Sequence, residues 1–266
     1  AKITWDTKAA VLEKIIQYER VHKIKDMNEL KRRLGEDRRF FSYFHPALDD
    51  EPIIFVQVAL TNGLGKSIQE IMKPSAEGAK KYDTATFYSI SNCQEGLSRV
   101  TLGNFLIKRV VYEIQEELPN IKNFGTLSPI PGFRDWFTTL DEKIIQNILG
   151  KIPYSNVSFL KSTDLKVGDG RIVSNKHAII KLVAHYLMNE KNKKGLPIND
   201  VCRFHLGNGA IIDDININAN VSEVGLNRSF GVMVNYLYEL KNIEKNHEDY
   251  INNKKIIISD QLKKKL

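Results

Sequence analysis

The sequence predicts a single α/β domain, and three observations support that class. Two apolar runs rich in β-branched and aromatic residues, PIIFVQVAL at 52–60 and TATFYSIS at 84–91, have the composition of strands. The segment GNFLIKRVVYEIQEEL at 103–118 carries apolar residues at helical spacing, and Pro119 follows it as a stop. No repeat or low-complexity linker divides the 266 residues, a length that one large domain accommodates.

The other elements follow the same periodicities in chain order. Helical spacing runs through 6–34, and again through TLDEKIIQNILG at 139–150 and SNKHAIIKLVAHYLMNEKN at 174–192. The proline-interrupted FGTLSPIPGF at 124–133 predicts a short extended piece. The segments VCRFHLGNGAIIDDINI at 201–217 and GVMVNYLYEL at 231–240 predict strands.

Composition and charge set limits on function. The chain is 42% hydrophobic and 27% charged, as in ordinary globular proteins, and it has no apolar run near the roughly 20 residues of a membrane span. Its start lacks the apolar core of a secretory signal, and two cysteines do not make a disulfide framework. The net charge of +7 favours a polyanion, either nucleic acid or a phosphorylated small molecule, although NNKKIIISDQLKKKL at 252–266 is most simply a solvated tail. No nucleic-acid recognition motif is evident.

The stretch VALTNGLGKSIQEIMK at 58–73 superficially resembles a phosphate-binding P-loop. That motif needs a glycine at the position of Leu60, so that backbone N–H groups can surround the phosphates. An ordinary turn between a strand and a helix is therefore the preferred interpretation.

A better phosphate site follows the strand that ends near Ser91. An irregular polar segment leads to a helix that begins near Gly103, and free N–H groups at a helix start bind anions. Gly96 would permit close approach of a pyrophosphate, and Arg99 and Lys108 add positive charge. A strand–loop–helix connection without a ligand explains the pattern equally well.

Two polar residues elsewhere are candidates for chemistry. Ser128 precedes Pro129 and should be extended; the missing N–H groups of Pro129 and Pro131 should part this strand from its neighbour and leave a gap beside the hydroxyl. A simple Ser-Pro turn is the alternative. His205 falls in a predicted strand before an Asn-Gly turn and is either structural or catalytic. No metal-ligand spacing surrounds it.

The segments HPALDDEPIIFVQVALT, FYSIS, GNFLIKRVVYEIQEELP, TLSPIPGF, RFHLGNGA and NYLYEL together resemble the malonyl-CoA decarboxylase family, from about Trp5 to Tyr250. The resemblance implies a GNAT-like mixed β-sheet, flanked by helices, whose central strands splay to admit the pantetheine arm of CoA. It implies one catalytic domain over 1–266 with a helical lead-in at 1–40. The family's N-terminal helical oligomerisation domain would be absent, because the chain begins about where that domain would end.

The resemblance also assigns site residues. It makes Ser128 and His205 catalytic, with Ser89 and Tyr238 as supporting groups; periodicity alone places Tyr236 and Tyr238 on one strand face, with core packing as their default role. The CoA-phosphate loop corresponds to seven consecutive residues: Ser98, Arg99, Val100, Thr101, Leu102, Gly103 and Asn104. Some relatives have a glutamate where Thr101 stands, which argues against an acidic role at that position.

The implied activity is that of a carboxy-lyase converting malonyl-CoA to acetyl-CoA and CO2. The thioester is itself the electron sink, so no metal or organic cofactor is expected. We expect Ser128 to orient the malonyl group and His205 to protonate the α-carbon, because an ordinary histidine pKa lies near neutrality. Acyl transfer to an amine, decarboxylation of malonyl on a carrier protein, and non-catalytic acyl-CoA binding stay open.

The expected partners are malonyl-CoA and acetyl-CoA, with neither nucleic acid nor membrane. A homo-oligomer and a carrier protein stay open as further partners. The expected compartment is the cytoplasm or an organellar matrix, since the chain ends in Lys-Lys-Leu rather than the peroxisomal Ser-Lys-Leu.

Overall fold

The computed structural model describes residues 1–73, 82–94, 102–162, 165–166 and 168–266, and for 102–105 it describes the backbone alone. The chain forms two compact units. The first comprises residues 1–65 and 71–126, and the second comprises residues 66–70 and 127–266. None of the helices in these described ranges is long and apolar enough to cross a bilayer.

The first unit is a sheet with helices packed on it. Its elements in chain order are α1 (Ala9–Tyr18), α2 (Met27–Arg33), β1 (Arg38–Phe44), β2 (Pro52–Thr61), β3 (Thr84–Asn92), α4 (Leu102–Glu117) and β4 (Asn123–Thr126), and the short α3 (Ile68–Met72) begins in the second unit and ends in the first.

The strands of this unit lie in the order β1-β2-β3-β4. The first two pairs are antiparallel, with Phe41 opposite Val56 and Phe55 opposite Ser91, and β3 runs parallel to β4. Nine of the ten β2 residues are buried, which explains why this strand is an almost continuous apolar run in the sequence. Ile15 and Leu30 from the two N-terminal helices pack into the same core as Phe55.

The second unit has eight helices among its described residues and a small antiparallel sheet. Its elements are β5 (Ser128–Pro129), α5 (Phe133–Thr139), α6 (Glu142–Leu149), α7 (Gly170–Ser174), α8 (Lys176–Met188), α9 (Asp200–Gly207), β6 (Ile211–Asn216), α10 (Glu223–Ser229), β7 (Met233–Leu237), α11 (Ile243–Asn253) and α12 (Asp260–Lys263), with short 3-10 turns at Tyr154–Asn156 and Ser158–Lys161. Strand β7 pairs with β6 and with β5.

The predicted α/β class is confirmed, as are most of the predicted elements. The run at 84–91 is strand β3, the amphipathic segment at 103–118 is helix α4, and both N-terminal helices are present. The turn interpretation of 58–73 is also confirmed: β2 ends at Thr61, Gly63 takes a φ of 70°, and a helix of only five residues follows.

The strand predicted over 201–217 is wrong in its first part, because residues 200–207 form helix α9, and right in its second, which contains β6. The signal is a capping asparagine followed by buried residues at helical spacing. Asn199 accepts a hydrogen bond from the N–H of Cys202, and Cys202, His205 and Leu206 are buried at positions i, i+3 and i+4. The predicted Asn208-Gly209 turn does follow, and the strand begins only at Ile211.

The expectation of a solvated C-terminal tail is also wrong. The segment after α11 adds backbone hydrogen bonds to β6, from the N–H of Ile212 to Ile257 and from the N–H of Ser259 to Ile212. Leu262 is fully buried, and Lys265 forms an ion pair with buried Asp214 at 2.5 Å. The apolar residues inside this basic run therefore fix it to the sheet.

Candidate active site

Ser128 lies at the start of the two-residue strand β5, opposite Val234 of β7. The residue is extended, as predicted, and the strand ends at Pro129, whose ring nitrogen has no hydrogen to donate. Its side chain is buried, and Oγ lies 3.1 Å from Nε2 of His205. A hydroxyl and an imidazole 77 positions apart in sequence are thereby brought into hydrogen-bond contact.

His205 reaches Ser128 from the last turn of α9. Its ring stacks on Tyr236 with centroids 4.5 Å apart and planes inclined by 26°, and Phe204 packs against it edge to face at 5.0 Å. Only 3% of the residue is exposed. These contacts hold the ring in one orientation.

Tyr238 completes the site from the end of β7. Its hydroxyl oxygen lies 2.8 Å from Nδ1 of His205, the ring nitrogen that does not contact Ser128. Tyr236 and Tyr238 both contact the same histidine, as expected for alternate residues on one strand face. The result is a linear chain of hydrogen-bonding groups, Ser128–His205–Tyr238.

Burial controls the protonation state of this chain. Removal from water lowers the pKa of His205 to about 3, and the same cause raises the pKa of the Tyr238 phenol. The expectation that His205 titrates near neutrality therefore does not hold for the folded protein. Between pH 5 and 8 the imidazole is neutral and the phenol keeps its proton.

The partners of Tyr238 indicate which imidazole nitrogen carries the proton. Within the described residues, the phenol has no hydrogen-bond partner other than Nδ1 of His205. A buried O–H that accepted from Nδ1 would leave its own hydrogen unsatisfied, which costs about 1–3 kcal/mol. Donation from Tyr238 to Nδ1 avoids that cost, so the proton of the ring lies on Nε2 and points at Ser128.

Ser89, the fourth residue of the predicted catalytic group, lies in the first unit. Its hydroxyl donates to Oε2 of Glu19 at 2.7 Å. Oε1 of the same buried carboxylate accepts from Ser91 and from the backbone N–H groups of Val21 and His22. The side-chain amide of Gln57 also donates to Oε2. The structure thus gives Ser89 an acidic partner that the sequence did not reveal.

The predicted CoA-phosphate loop falls largely outside the described residues. Ser98, Arg99, Val100 and Thr101 are not among them. Leu102, Gly103 and Asn104 begin the 16-residue helix α4, as expected, but nothing is described of their side chains. The phosphate site stays a prediction.

Sequence reasoning missed the polar groups that hold the Ser128 segment. The carbonyl of Pro131 accepts hydrogen bonds from Tyr186 Oη at 3.0 Å and from Asn199 Nδ2 at 2.8 Å. Gly132 follows with a φ of 79°, and an added Cβ there would lie 2.8 Å from the Tyr186 hydroxyl. In the described part of the chain, no cluster of three His, Cys, Asp or Glu side chains could hold a metal ion.

The arrangement of strands and helices is that of GNAT-like proteins. The structure of the GNAT-like decarboxylase GphF in complex with isobutyryl-CoA covers 87% of this chain and 96% of its own, with a TM-score of 0.53 and 15% identity. The predicted GNAT-like fold with a mixed sheet flanked by helices is thereby confirmed. The splaying of its central strands stays a prediction.

Within that fold, the chain belongs to the malonyl-CoA decarboxylase family: residues 1–266 match the malonyl-CoA decarboxylase C-terminal domain. The mitochondrial malonyl-CoA decarboxylase of Anser anser anser is 38% identical over 98% of this chain and 56% of its own length. The crystal structure of malonyl-CoA decarboxylase from Agrobacterium vitis has a TM-score of 0.89 and 38% identity, covering the whole of this chain and 66% of its own. The chain therefore spans little more than half the length of its curated relatives.

Proposed function

We propose that this chain decarboxylates malonyl-CoA to acetyl-CoA and CO2. The observation that carries the proposal is the buried chain of hydrogen-bonding groups, Ser128–His205–Tyr238, in a member of this family. Burial suits the reaction, because a poorly solvated carboxylate loses CO2 more readily than a hydrated one.

The reaction breaks the bond between the α-carbon and the carboxylate. The electron pair of that bond moves into the thioester carbonyl, which becomes an enolate as CO2 leaves. The α-carbon then takes a proton to give the methyl group of acetyl-CoA. The protein must therefore stabilise an oxyanion and supply one proton.

His205 supplies the proton from Nε2 in its neutral form. As that proton moves to the carbon, the Tyr238 hydroxyl gives its proton to Nδ1, so the imidazole stays neutral throughout. The negative charge that arrived on the malonyl carboxylate then rests on the phenolate. Before the next turnover a proton from water binds Nε2 and the Nδ1 proton returns to the Tyr238 oxygen, which restores the starting tautomer. A raised phenol pKa in the free protein makes that reprotonation favourable.

Ser128 orients the malonyl group and stabilises charge rather than acting as a base. With the ring proton on Nε2, the serine oxygen accepts a hydrogen bond from the histidine, so His205 cannot remove the serine proton. The hydroxyl proton of Ser128 is thereby directed away from the ring. We assign it to the substrate oxygen that becomes negative.

The remaining assignments rest on family resemblance. Residues Ser98 to Asn104 would hold the CoA phosphates at the start of α4. Ser89, fixed by Glu19, would support the substrate, and neither metal nor organic cofactor would take part. The compartment is the cytoplasm or an organellar matrix, and the description of the goose relative as mitochondrial supports the second.

The test is to incubate the protein with malonyl-CoA and follow acetyl-CoA by mass spectrometry, with Ser128→Ala and His205→Ala alongside. Loss of one oxyanion donor should reduce kcat by on the order of 10²–10³-fold in Ser128→Ala, with CoA binding nearly unchanged. Failure of the wild type to form acetyl-CoA while binding CoA would overturn the proposal. In that case, the next activities to test are decarboxylation of malonyl held on a carrier protein and transfer of an acyl group from CoA to an amine.

A further inference from the structure

A single buried side chain, Asn199, connects the segment that carries Ser128 with the helix that carries His205. Its Oδ1 accepts a hydrogen bond from the N–H of Cys202 at 2.8 Å, and its Nδ2 donates to the carbonyl of Pro131 at 2.8 Å. Only 2% of the residue is exposed. Both polar ends of one amide are therefore used, one on each catalytic segment.

The first contact fixes the start of α9. Asn199 is the N-cap of that helix, and a capping side chain satisfies one of the N–H groups left free in the first turn. His205 lies six residues later in the same eight-residue helix. A change in where α9 begins would therefore move the imidazole with it.

The second contact fixes the segment after Ser128. Pairing with β7 reaches only Ser128 and Pro129, and Pro131 has no N–H to extend it, so the stretch beyond β5 is held through its carbonyl groups. Asn199 holds the segment by donating a hydrogen bond to the Pro131 carbonyl. Because the proline rings fix φ at both positions, holding this carbonyl also restricts the orientation of Ser128.

We propose that Asn199 is a positioning residue that sets the distance between Ser128 Oγ and His205 Nε2. The expected effect on kcat rests on the proposed decarboxylase function. The effect on the distance between Ser128 and His205 does not. Other capping residues cannot replace the amide: aspartate caps a helix but has no N–H to give Pro131, and serine caps but is too short to reach that carbonyl.

Tyr186 provides an internal comparison. Its hydroxyl donates to the same Pro131 carbonyl from helix α8, which carries none of the proposed catalytic residues. The loop thus has two anchors, and only the one through Asn199 also determines the place of α9.

The experiment compares Asn199→Ser with Ser259→Ala. Asn199→Ser keeps a capping hydroxyl but breaks the link to Pro131. Ser259 has the same double role elsewhere in this unit, since it caps α12 and donates to the Asp213 carbonyl at 2.6 Å. We expect Asn199→Ser to lower kcat about 10–100-fold with KM changed less than about twofold, as for a small misplacement of reacting groups. Ser259→Ala should leave both constants unchanged.

A second readout does not depend on activity. The ¹⁵N shifts of the His205 imidazole, assigned by their loss in His205→Gln, report which nitrogen carries the proton. In Asn199→Ser they should move towards those of an imidazole exchanging between its two tautomers, while Ser259→Ala should match the wild type. Unchanged kcat together with unchanged His205 shifts in Asn199→Ser would overturn the proposal. An inactive wild type would refute the decarboxylase assignment alone, because the shifts would still decide the role of Asn199.

Discussion

The hydroxyl oxygen of Tyr238 lies 2.8 Å from Nδ1 of His205, on the side of the ring opposite Ser128. A histidine with a different partner on each nitrogen has a defined tautomer only if one partner must donate. Tyr238 is that partner, because its buried O–H has no other hydrogen-bond partner among the described residues and would be unsatisfied if it accepted from Nδ1. The phenol therefore determines what the histidine presents to the substrate.

Replacing Tyr238 by phenylalanine should reduce kcat by on the order of 10²-fold, the low end of the effect of a general acid–base group. The ring keeps its packing, but Nδ1 loses its donor and the Nε2–H form loses its preference. KM should change little, because the phenol lies behind the histidine. Steady-state kinetics with malonyl-CoA would measure both constants.

Tyr250→Phe is the matched control for that substitution. Tyr250 is also buried in the second unit, but its hydroxyl has no hydrogen-bond partner among the described residues. Removing an unsatisfied buried hydroxyl should leave kcat unchanged and stabilise the protein by up to about 1 kcal/mol. Full activity in Tyr238→Phe would refute the relay through the phenol.

The pH dependence of kcat/KM tests whether His205 acts as a neutral acid. With a pKa of about 3 in the free protein, the imidazole does not titrate between pH 5 and 8, so no pH dependence from His205 should appear in that range. A mechanism that needed the imidazolium would instead make kcat/KM fall tenfold for each unit by which the pH rises, because the protonated fraction falls by that factor above the pKa. Rates measured in buffers of constant ionic strength would separate the two.

The same buried imidazole should make stability pH-dependent. Its pKa is lowered from about 6.5 in the unfolded chain to about 3, so the unfolded state binds more protons between these values. The stabilising contribution is complete above pH 6.5 and is lost as the pH falls, by at most about 1.4 kcal/mol per unit. The free energy of unfolding, measured with denaturant, should fall less between pH 7 and pH 5 in His205→Gln than in the wild type. Exposed His177→Gln should behave as wild type.

The fold was largely predictable because its signals are local. β2 and β3 are runs of β-branched and aromatic residues, and α4 is long and amphipathic. Helix α9 was not predicted from the sequence. Only three of its eight residues are buried, and the helix lies between a loop and a strand. The Asn199 cap was the local signal that distinguished it from a strand.

The site could be predicted only in part because its contacts are long-range. Ser128 and His205 were each weak candidates alone, and family resemblance combined them. Their 3.1 Å contact, the Tyr238 partner and the lowered histidine pKa all depend on burial by residues distant in sequence. Glu19 is a clear case: it binds Ser89 across 70 positions, and no local pattern marks it.

Glu19→Ala should destabilise the protein strongly, by at least about 2 kcal/mol, because several buried donors would lose their acceptor at once. Glu117→Ala is the control, since that carboxylate forms ion pairs with Lys2 and Arg39 at the surface, where such pairs contribute about 0–1 kcal/mol. Free energies of unfolding from urea titrations would compare them. Equal effects would show that the Glu19 network adds no more than a surface pair.

Gly209 is the position at which the turn after α9 tolerates no side chain. It has a φ of 81°, and a Cβ added there would lie 2.2 Å from the backbone oxygen of Ile243 at the start of α11. Gly209→Ala should therefore cost more than the roughly 1–2 kcal/mol of left-handed backbone strain, because backbone atoms must also move. Gly63→Ala isolates the strain alone, since its φ is 70° and nothing lies within 4 Å of the added Cβ. Unfolding free energies that fall equally in the two variants would contradict the close approach of α11 to this turn. We expect Gly209→Ala also to lower kcat, because moving the end of α9 displaces His205 from Ser128.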